Sequence, residues 1–254
     1  MKLHVESHGS GIPLVMLHGW GMHGGIWEGV IPLLAQHFRV HTVDLPGYGA
    51  SPAPTQYNLD TVVRQLMAHF TEPAAVCGWS LGGQVALRWA QLQPQQVDKL
   101  VLVASTPSFV QRSDWQWGMA AHVLLQFSQA LAQDYEVTLK RFVALQMRGS
   151  EAERELLAET RRRLFSRGQP DAGALHAGLE ILRDTDLRLM LPQLGQPALV
   201  IAGERDQLVP AGASAYLAQQ LPQARLVSVK GAAHAPFLSH PQIFTQQITS
   251  FLHE

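Results

Sequence analysis

The sequence predicts an α/β protein with a mostly parallel central sheet, helices on both faces and an inserted helical cap. Short apolar, β-branched runs bounded by glycine or proline recur along the chain, at residues 13–17, 39–43, 74–77, 99–104, 198–202 and 225–229. Several are apolar at nearly every position, which is typical of strands buried on both faces of a parallel sheet. Segments long enough for crossover helices, such as residues 59–70 and 81–91, separate most of these runs. This alternation favours one sheet with right-handed crossovers.

The alternation stops between residue 107 and about residue 186. This stretch carries apolar residues at helical spacing among arginines and glutamates, and it contains no convincing strand. An all-helical insertion between two strands of one sheet accounts for the pattern. We therefore predict a core formed by residues 1–107 and 187–254 and a helical cap formed by residues 108–186. The stretch 166–170, which contains Gly and Pro, predicts a break between cap helices.

The composition predicts a compact globular protein. Of the 254 residues, 46% are hydrophobic and 15% are charged, whereas disordered chains are poorer in apolar residues and richer in net charge. The net charge of −1 argues against a nucleic-acid or membrane-surface binder. The single cysteine, Cys77, excludes an intramolecular disulfide and a Cys-based zinc cluster, and its apolar strand predicts an inert buried thiol. Because the chain has neither a spanning apolar run nor a signal-peptide pattern, we expect a cytoplasmic protein. We also expect it to be a monomer.

The pentapeptide Gly78-Trp79-Ser80-Leu81-Gly82 carries the strongest chemical signal. It fits the pattern G-x-S-x-G, in which a strained turn between a strand and a helix exposes a nucleophilic serine. An apolar run precedes the pentapeptide and a helical run follows it, as this turn requires. A glycine-rich turn without chemistry is the alternative. The strand–turn–helix context favours Ser80 as a nucleophile.

A serine nucleophile needs a base and a group that orients the base. In this architecture the acid follows the serine along the chain and the histidine comes last. Asp206 and His234 each lie in a loop that follows a predicted strand, where active-site residues of open α/β sheets are found. Glu204 is the rival acid, but it lies closer to its strand and is interpreted as a surface residue. His240 is the rival base, but we expect it to begin the last helix.

An oxyanion in such a site needs two preorganised N–H donors. The backbone N–H of Leu81, directly after the nucleophile, is the first candidate. The loop His18-Gly19-Trp20-Gly21, which follows the first predicted strand, offers the backbone N–H of Trp20 as the second. We interpret His18 as a side chain that braces this loop. The reaction requires no metal or organic cofactor.

These residues resemble the α/β-hydrolase superfamily and, within it, the carboxylesterase family of biotin biosynthesis, which cleaves the methyl ester of pimeloyl-[acyl-carrier protein]. The resemblance runs over nearly the whole chain, in stretches 17–21, 43–49, 78–83, 141–146, 178–182, 186–188, 232–237 and 239–241. It implies substrate contacts at Trp20, Ser80, Leu81, Phe142, Val143, Ala144, Leu145, Gln146 and His234. It also implies that arginines of the cap contact the acidic carrier protein. Arg141 and Arg154 match such positions, whereas Val137 and Ala158 occupy two others.

We therefore expect a serine carboxylesterase that acts on the carrier-bound pimeloyl methyl ester through an acyl-enzyme intermediate. A generic esterase for short or medium acyl chains and a carbon–carbon bond hydrolase are alternatives within the same fold. A non-catalytic carrier-binding protein is the alternative from another class, although such proteins usually lose a member of the triad. Residues 137–168 hold eight basic and four acidic residues, which fits either a solvated helical face or a surface for an acidic partner.

Overall fold

The computed structural model describes residues 2–151 and 153–254, which form one seven-stranded sheet with helices around it. The strands are β1 (Val5–His8), β2 (Ile12–Leu17), β3 (Phe38–Val43), β4 (Ala74–Trp79), β5 (Val97–Val103), β6 (Ala198–Gly203) and β7 (Ala224–Val229). Their order across the sheet is β1-β3-β2-β4-β5-β6-β7. The strand β1 pairs antiparallel with β3, and every other described pairing is parallel. The predicted fold class, a mostly parallel sheet, is confirmed.

Ten helices accompany the sheet in the described ranges. They are α1 (Ile31–Leu34), α2 (Leu59–His69), α3 (Leu81–Leu92), α4 (Ala121–Gln133), α5 (Tyr135–Met147), α6 (Glu153–Leu164), α7 (Ala172–Asp184), α8 (Ala211–Gln220), α9 (Pro236–Ser239) and α10 (Pro241–His253). Short 3-10 turns lie at Gly24–Trp27, Pro94–Gln96 and Arg188–Gln193. No helix in the described ranges is both long enough and apolar enough to cross a membrane.

The centre of the sheet is covered on both faces. Every residue of β4 and of β6 is buried. Side chains of a strand alternate between the two faces, so complete burial requires packing on each of them. Helix α3 packs on β4, and helices α8 and α10 pack on β6. This buried centre is the platform on which the loops at the carboxyl ends of the strands are held.

The segment between β5 and β6 is helical, and its first and last residues lie next to each other. Helices α4 to α7 lie in it, and α6 and α7 are separated at the predicted break. At its base Ser108 bridges Asp186, and the Leu187 N–H donates to the Pro107 carbonyl at 2.9 Å. The division into a core, residues 1–107 and 187–254, and a cap, residues 108–186, stays a prediction. Met1 and Ala152 fall in these ranges but lie outside the described residues.

Two arginines near the end of α6 connect the helical segment to β1 and to the loops after β2 and β3. Arg167 pairs with the buried carboxylate of Asp44 at 3.0 Å and with Glu6. Arg163 pairs with Glu28 at 3.5 Å. The imidazole of His23 donates from Nε2 to the Arg163 carbonyl at 2.7 Å. These basic residues therefore belong to a seam between two parts of the fold and are not a free surface charge.

Candidate active site

Ser80 lies in a strained turn between β4 and α3. Its backbone angles are φ 55° and ψ −115°, a conformation that residues other than glycine rarely adopt. The two motif glycines leave room for this turn: a Cβ on Gly78 would lie 2.2 Å from the Gly82 carbonyl oxygen, and one on Gly82 would lie 2.4 Å from the Leu17 carbonyl oxygen. The predicted strand–turn–helix context of Ser80 is thus present, and the backbone spacing explains why the motif needs glycine.

Asp206 and His234 form a buried pair. The Nδ1 atom of His234 lies 2.8 Å from Oδ2 of Asp206, and both side chains are about 1% exposed. The other carboxylate oxygen, Oδ1, accepts the backbone N–H groups of Leu208 at 2.8 Å and Val209 at 3.0 Å. Because an ionised carboxylate only accepts, the His234 proton sits on Nδ1 and Nε2 presents its lone pair. That Nε2 is buried and has no hydrogen-bond partner among the described residues.

The loop that carries His234 is tethered to the turn that carries Ser80. The indole N–H of Trp79 donates to the His234 carbonyl at 2.9 Å, and the two rings lie 5.7 Å apart. The His234 N–H donates to the Gln146 carbonyl at 3.2 Å, which connects the same loop to α5. Trp79 is absent from the predicted site residues. Its position in the motif, directly before Ser80, is the sequence feature that could have indicated a role in the site.

The rival acid and base have other roles in the structure. Glu204 is exposed, and its carboxylate accepts the Gly231 N–H at 3.0 Å, so it supports the loop that precedes His234. His240 stands at the start of α10, and its Nδ1 lies 2.8 Å from the Ser239 hydroxyl. The contacts of Glu204 and His240 therefore leave Asp206 and His234 as the buried acid–histidine pair of the described site.

The loop after β2 passes directly against the nucleophile turn. A Cβ on Gly19 would lie 3.3 Å from Cβ of Ser80. His18 is buried; its Nε2 accepts the Leu45 N–H at 2.9 Å and its Nδ1 donates to the Gly19 carbonyl at 2.8 Å. Burial lowers the pKa of His18 to about 4, so the ring stays neutral near pH 7 and keeps this tautomer. These contacts agree with the interpretation of His18 as a brace.

The two predicted oxyanion donors lie at the edge of this turn. Leu81 is the first residue of α3, where helical N–H groups have no intrahelical acceptor. In the described residues neither the Leu81 N–H nor the Trp20 N–H finds an acceptor. An oxyanion hole needs two such N–H groups without an acceptor, and the role of Leu81 and Trp20 as its donors stays a prediction.

Aromatic side chains from the helical segment cover this edge. The ring of Phe142, on α5, meets Trp20 edge-on at 4.9 Å and Phe127 at 5.7 Å. The Trp20 indole N–H donates to the Leu175 carbonyl of α7 at 2.9 Å. Phe142 and Trp20 thus form an apolar wall next to the candidate oxyanion donors.

Cys77 lies in the buried strand that leads into the turn. Burial raises the pKa of its thiol far above the usual value.

The residues of the stretch 142–146, on α5, differ in how far they are buried. Phe142, Val143 and Gln146 are buried, whereas Ala144 and Leu145 are partly exposed. The side-chain amide of Gln146 is about 1% exposed, and neither its nitrogen nor its oxygen has a partner among the described residues. Because buried polar groups are normally paired, this amide has capacity for a polar group of a bound molecule.

Replacing Phe142 by alanine tests whether this wall binds an acyl chain. We expect KM for a medium-chain ester to rise by about tenfold, because the lost apolar contact is worth on the order of 1–2 kcal/mol. KM for an acetate ester should change less than twofold, and the melting temperature should fall by only a few degrees. Steady-state kinetics with both esters and a thermal melt measure this. Equal KM changes together with a large loss of melting temperature would assign Phe142 to packing alone.

The two predicted carrier contacts are exposed. Arg141 lies on α5 and Arg154 on α6, and in the described ranges neither has an ion-pair partner. Lys140 pairs with Glu136 at 3.3 Å, one helical turn away. Arg148 and Arg161 are also exposed without a described partner. We call the four exposed arginines without a described ion-pair partner the cap arginine set; it comprises Arg141, Arg148, Arg154 and Arg161.

Comparison with known proteins shows the family of the chain. Residues 12–241 match the family described as alpha/beta hydrolase fold. The chain is 50% identical to a pimeloyl-[acyl-carrier protein] methyl ester esterase of Nitrosomonas europaea, over 96% of each chain. It is 45% identical to a protein of the same name from Chromobacterium violaceum, over 99% of this chain and 98% of the relative. An esterase structure from Exiguobacterium antarcticum superposes with a TM-score of 0.91 at 27% identity, covering 99% of this chain and 96% of that one.

Proposed function

The chain belongs to the alpha/beta hydrolase fold family, and on that premise we propose that it is a serine carboxylesterase that hydrolyses the methyl ester of pimeloyl-[acyl-carrier protein]. The observation that carries the chemistry is the buried pair of Asp206 and His234 beside the strained Ser80 turn. The observation that supports the substrate is the full-length similarity to esterases that bear this name. A carbon–carbon bond hydrolase would use the same triad, and no observation in the site favours it.

The first half of the reaction acylates Ser80. The Nε2 atom of His234 takes the hydroxyl proton while the Ser80 oxygen attacks the ester carbonyl carbon. Asp206 holds the ring in the required tautomer and stabilises the imidazolium that forms. The N–H groups of Leu81 and Trp20 bind the oxyanion, whose charge develops in a site largely closed to water. When the tetrahedral intermediate collapses, the methoxy group takes the proton from His234 and leaves as methanol.

The second half releases the acid. A water molecule enters the place that methanol has left, and His234 takes its proton while the oxygen attacks the acyl carbon. The same two N–H groups bind the second oxyanion. Collapse returns the proton to Ser80 and frees the carboxylic acid, still joined to its carrier at the other end. Every group in this cycle comes from one chain, and we propose that the enzyme works as a monomer in the cytoplasm.

Recognition of the carrier is proposed to involve the cap arginine set. An acidic partner is attracted to exposed guanidinium groups that lack a carboxylate partner, and such attraction mainly raises the association rate. Arg163 and Arg167 are excluded from this role because they pair with Glu28 and Asp44 of the core. Docking near α5 and α6 would bring the tethered acyl chain close to Phe142, which lies on α5.

Reversing Arg141 and Arg154 to glutamate should lower kcat/KM for the carrier-bound ester by about tenfold at low salt. The loss should become smaller as the salt concentration rises, because salt screens the attraction between exposed charges. A small uncharged ester should be hydrolysed at an unchanged rate, since the triad is intact. The control is the pair Arg64→Glu and Arg225→Glu, which makes the same charge change on the core. Parallel losses on both substrates, or a carrier reaction without salt dependence, would make Arg141 and Arg154 structural.

The proposed function is tested by growth and by direct assay. We expect the gene to restore growth without biotin to a bacterial strain that lacks this esterase, and the Ser80→Ala variant to fail. The purified protein should release methanol from the carrier-bound methyl ester. Activity on p-nitrophenyl esters without rescue, from well-expressed protein, would reduce the function to that of a general carboxylesterase. Activity on ring-cleavage diketones but not on esters would make it a carbon–carbon bond hydrolase.

A further inference from the structure

Ser105 lies behind the nucleophile turn and is bonded to it. Its hydroxyl donates to the Ser80 carbonyl at 2.9 Å, and the residue is about 1% exposed. The contact is tight, because a Cβ on Gly83 would lie 2.1 Å from the Ser105 oxygen. Glycine at position 83 therefore makes space for this hydroxyl. No step of the proposed reaction uses Ser105, so its contact with Ser80 calls for a separate explanation.

The bond acts on the peptide plane between Ser80 and Leu81. The Ser80 carbonyl accepts two donors, the Ser105 hydroxyl at 2.9 Å and the Gly83 N–H at 3.0 Å. A trans peptide is planar, so its C=O and N–H point in opposite directions. Two donors that fix the carbonyl consequently fix the direction of the Leu81 N–H. We propose that Ser105 is a positioning residue that aims the Leu81 N–H at the oxyanion; this inference rests on the proposed function.

The backbone before Ser105 is shaped for this contact. Ala104 has φ 43°, and together with Ser80 it makes up the non-glycine residues of positive φ in the described ranges. The strand end is held on both sides, since the Ala104 N–H donates to the Ile201 carbonyl at 2.8 Å and the Ser80 N–H donates to the Val103 carbonyl at 2.9 Å. An alanine in the left-handed region is strained, and such strain persists where surrounding structure enforces it. Here the turn directs Ser105 back toward Ser80.

The other proposed donor has the same kind of support. The carbonyl of Gly19 accepts the His18 Nδ1–H at 2.8 Å and the Met22 N–H at 3.3 Å. Gly19 and Trp20 share that peptide, so these two bonds fix the direction of the Trp20 N–H. Each donor thus follows a carbonyl that is held by one buried side chain and one backbone N–H three residues on. Ser105 therefore holds the carbonyl before the Leu81 N–H in the way that His18 holds the carbonyl before the Trp20 N–H.

The test compares Ser105→Ala and Ser105→Cys with Ser105→Thr. Alanine removes the hydroxyl, cysteine keeps the volume with a weak donor, and threonine keeps the hydroxyl. With a medium-chain p-nitrophenyl ester we expect alanine and cysteine to lower kcat about tenfold with KM changed less than twofold. Removing an oxyanion donor outright costs about 10²–10³-fold, so a misdirected donor should cost less. Threonine should restore at least half of the wild-type kcat.

A second measurement separates positioning from general stability. A trifluoromethyl ketone with the same acyl chain forms a tetrahedral adduct with Ser80, whose oxyanion the two N–H groups bind. Its inhibition constant should rise with alanine and cysteine by the factor that kcat/KM falls, while inhibition by the free acid stays unchanged. The control is Thr106→Val, which removes the neighbouring hydroxyl that donates to the Ser108 carbonyl at 2.9 Å. This variant should lose melting temperature and keep kcat.

The outcomes distinguish the inference from the proposed function. If Ser105→Ala and Ser105→Cys keep wild-type kcat and ketone affinity while Ser80→Ala is inactive, the positioning role of Ser105 is wrong and the serine esterase stands. If the Ser105 variants and Thr106→Val lose kcat in proportion to their melting temperatures, Ser105 is structural only. If the wild-type protein hydrolyses no ester, the proposed function fails, whatever the Ser105 variants do.

Discussion

Replacing Ser80 by alanine should lower ester turnover by a factor on the order of 10⁶, because no other described group lies in the strained turn to form the acyl-enzyme. His234→Ala should cost about as much, since the buried Nε2 is the proposed proton acceptor. The double variant should be little worse than either single one, because the two residues act as a unit. Single-turnover measurements of the alcohol and acid released would report the loss in each half-reaction.

The control for this pair is His240→Ala. His240 lies at the start of α10, contacts Ser239 and has no place in the proposed reaction. We expect it to retain most of the activity, with any loss appearing in the melting temperature. If Ser80→Ala retains more than about a hundredth of the wild-type turnover with a fully folded protein, the nucleophile lies elsewhere. Additive losses in the Ser80 and His234 double variant would contradict a coupled pair.

Most of the sheet could be predicted because its strands are continuous apolar runs. The six predicted runs correspond to β2 through β7, with ends that differ by one or two residues. The missing strand, β1, is Val5–His8, which is partly exposed and has few apolar residues. An edge strand of this kind carries no continuous apolar pattern, so its pairing with β3 depends on contacts along the whole register. The helices of the insertion were predictable from a different pattern, the helical spacing of its apolar residues.

The site was predictable where a local pattern fixes it. The motif around Ser80, the chain order of acid and histidine, and the loops after two predicted strands together predicted Asp206 and His234 as its partners. The contacts that hold these residues come from distant parts of the chain. Trp79 binds the His234 carbonyl 155 residues later, and Ser105, just after β5, binds the Ser80 carbonyl. No local pattern encodes such pairs, and the strained φ of Ala104 is likewise visible only in three dimensions.

The basic residues of the helical segment show the same limit. In sequence nothing local separates Arg163 and Arg167 from Arg141 and Arg154, since all four lie in the same basic stretch, residues 137–168. The structure separates them, because Arg167 meets the buried Asp44, 123 residues earlier, whereas Arg141 and Arg154 stay exposed. A net charge counted along a sequence therefore overstates the charge available to a partner.

Asp206→Asn should slow the reaction by roughly 10⁴ while the protein stays folded. The loss of activity follows from the different partners of the two carboxylate oxygens of Asp206. Oδ1 accepts the N–H groups of Leu208 and Val209, so the carbonyl oxygen of asparagine would occupy this position and its NH₂ group would face His234. An NH₂ group cannot accept the Nδ1 proton, so the ring would present a bare Nδ1 to it and carry its proton on Nε2. A protonated Nε2 cannot take the proton of Ser80.

The matched control is Glu204→Gln, the other acid of the same loop. Its amide oxygen can still accept the Gly231 N–H, so turnover should fall less than threefold. The tautomer itself is measurable, because ¹⁵N chemical shifts of labelled His234 distinguish a protonated Nδ1 from a protonated Nε2. We expect the proton on Nδ1 in the wild type and on Nε2 in Asp206→Asn. A variant that loses 10⁴ in rate with the proton still on Nδ1 would show that Asp206 acts through the charge of the imidazolium, with no contribution from the tautomer. A loss below tenfold would remove Asp206 from the triad.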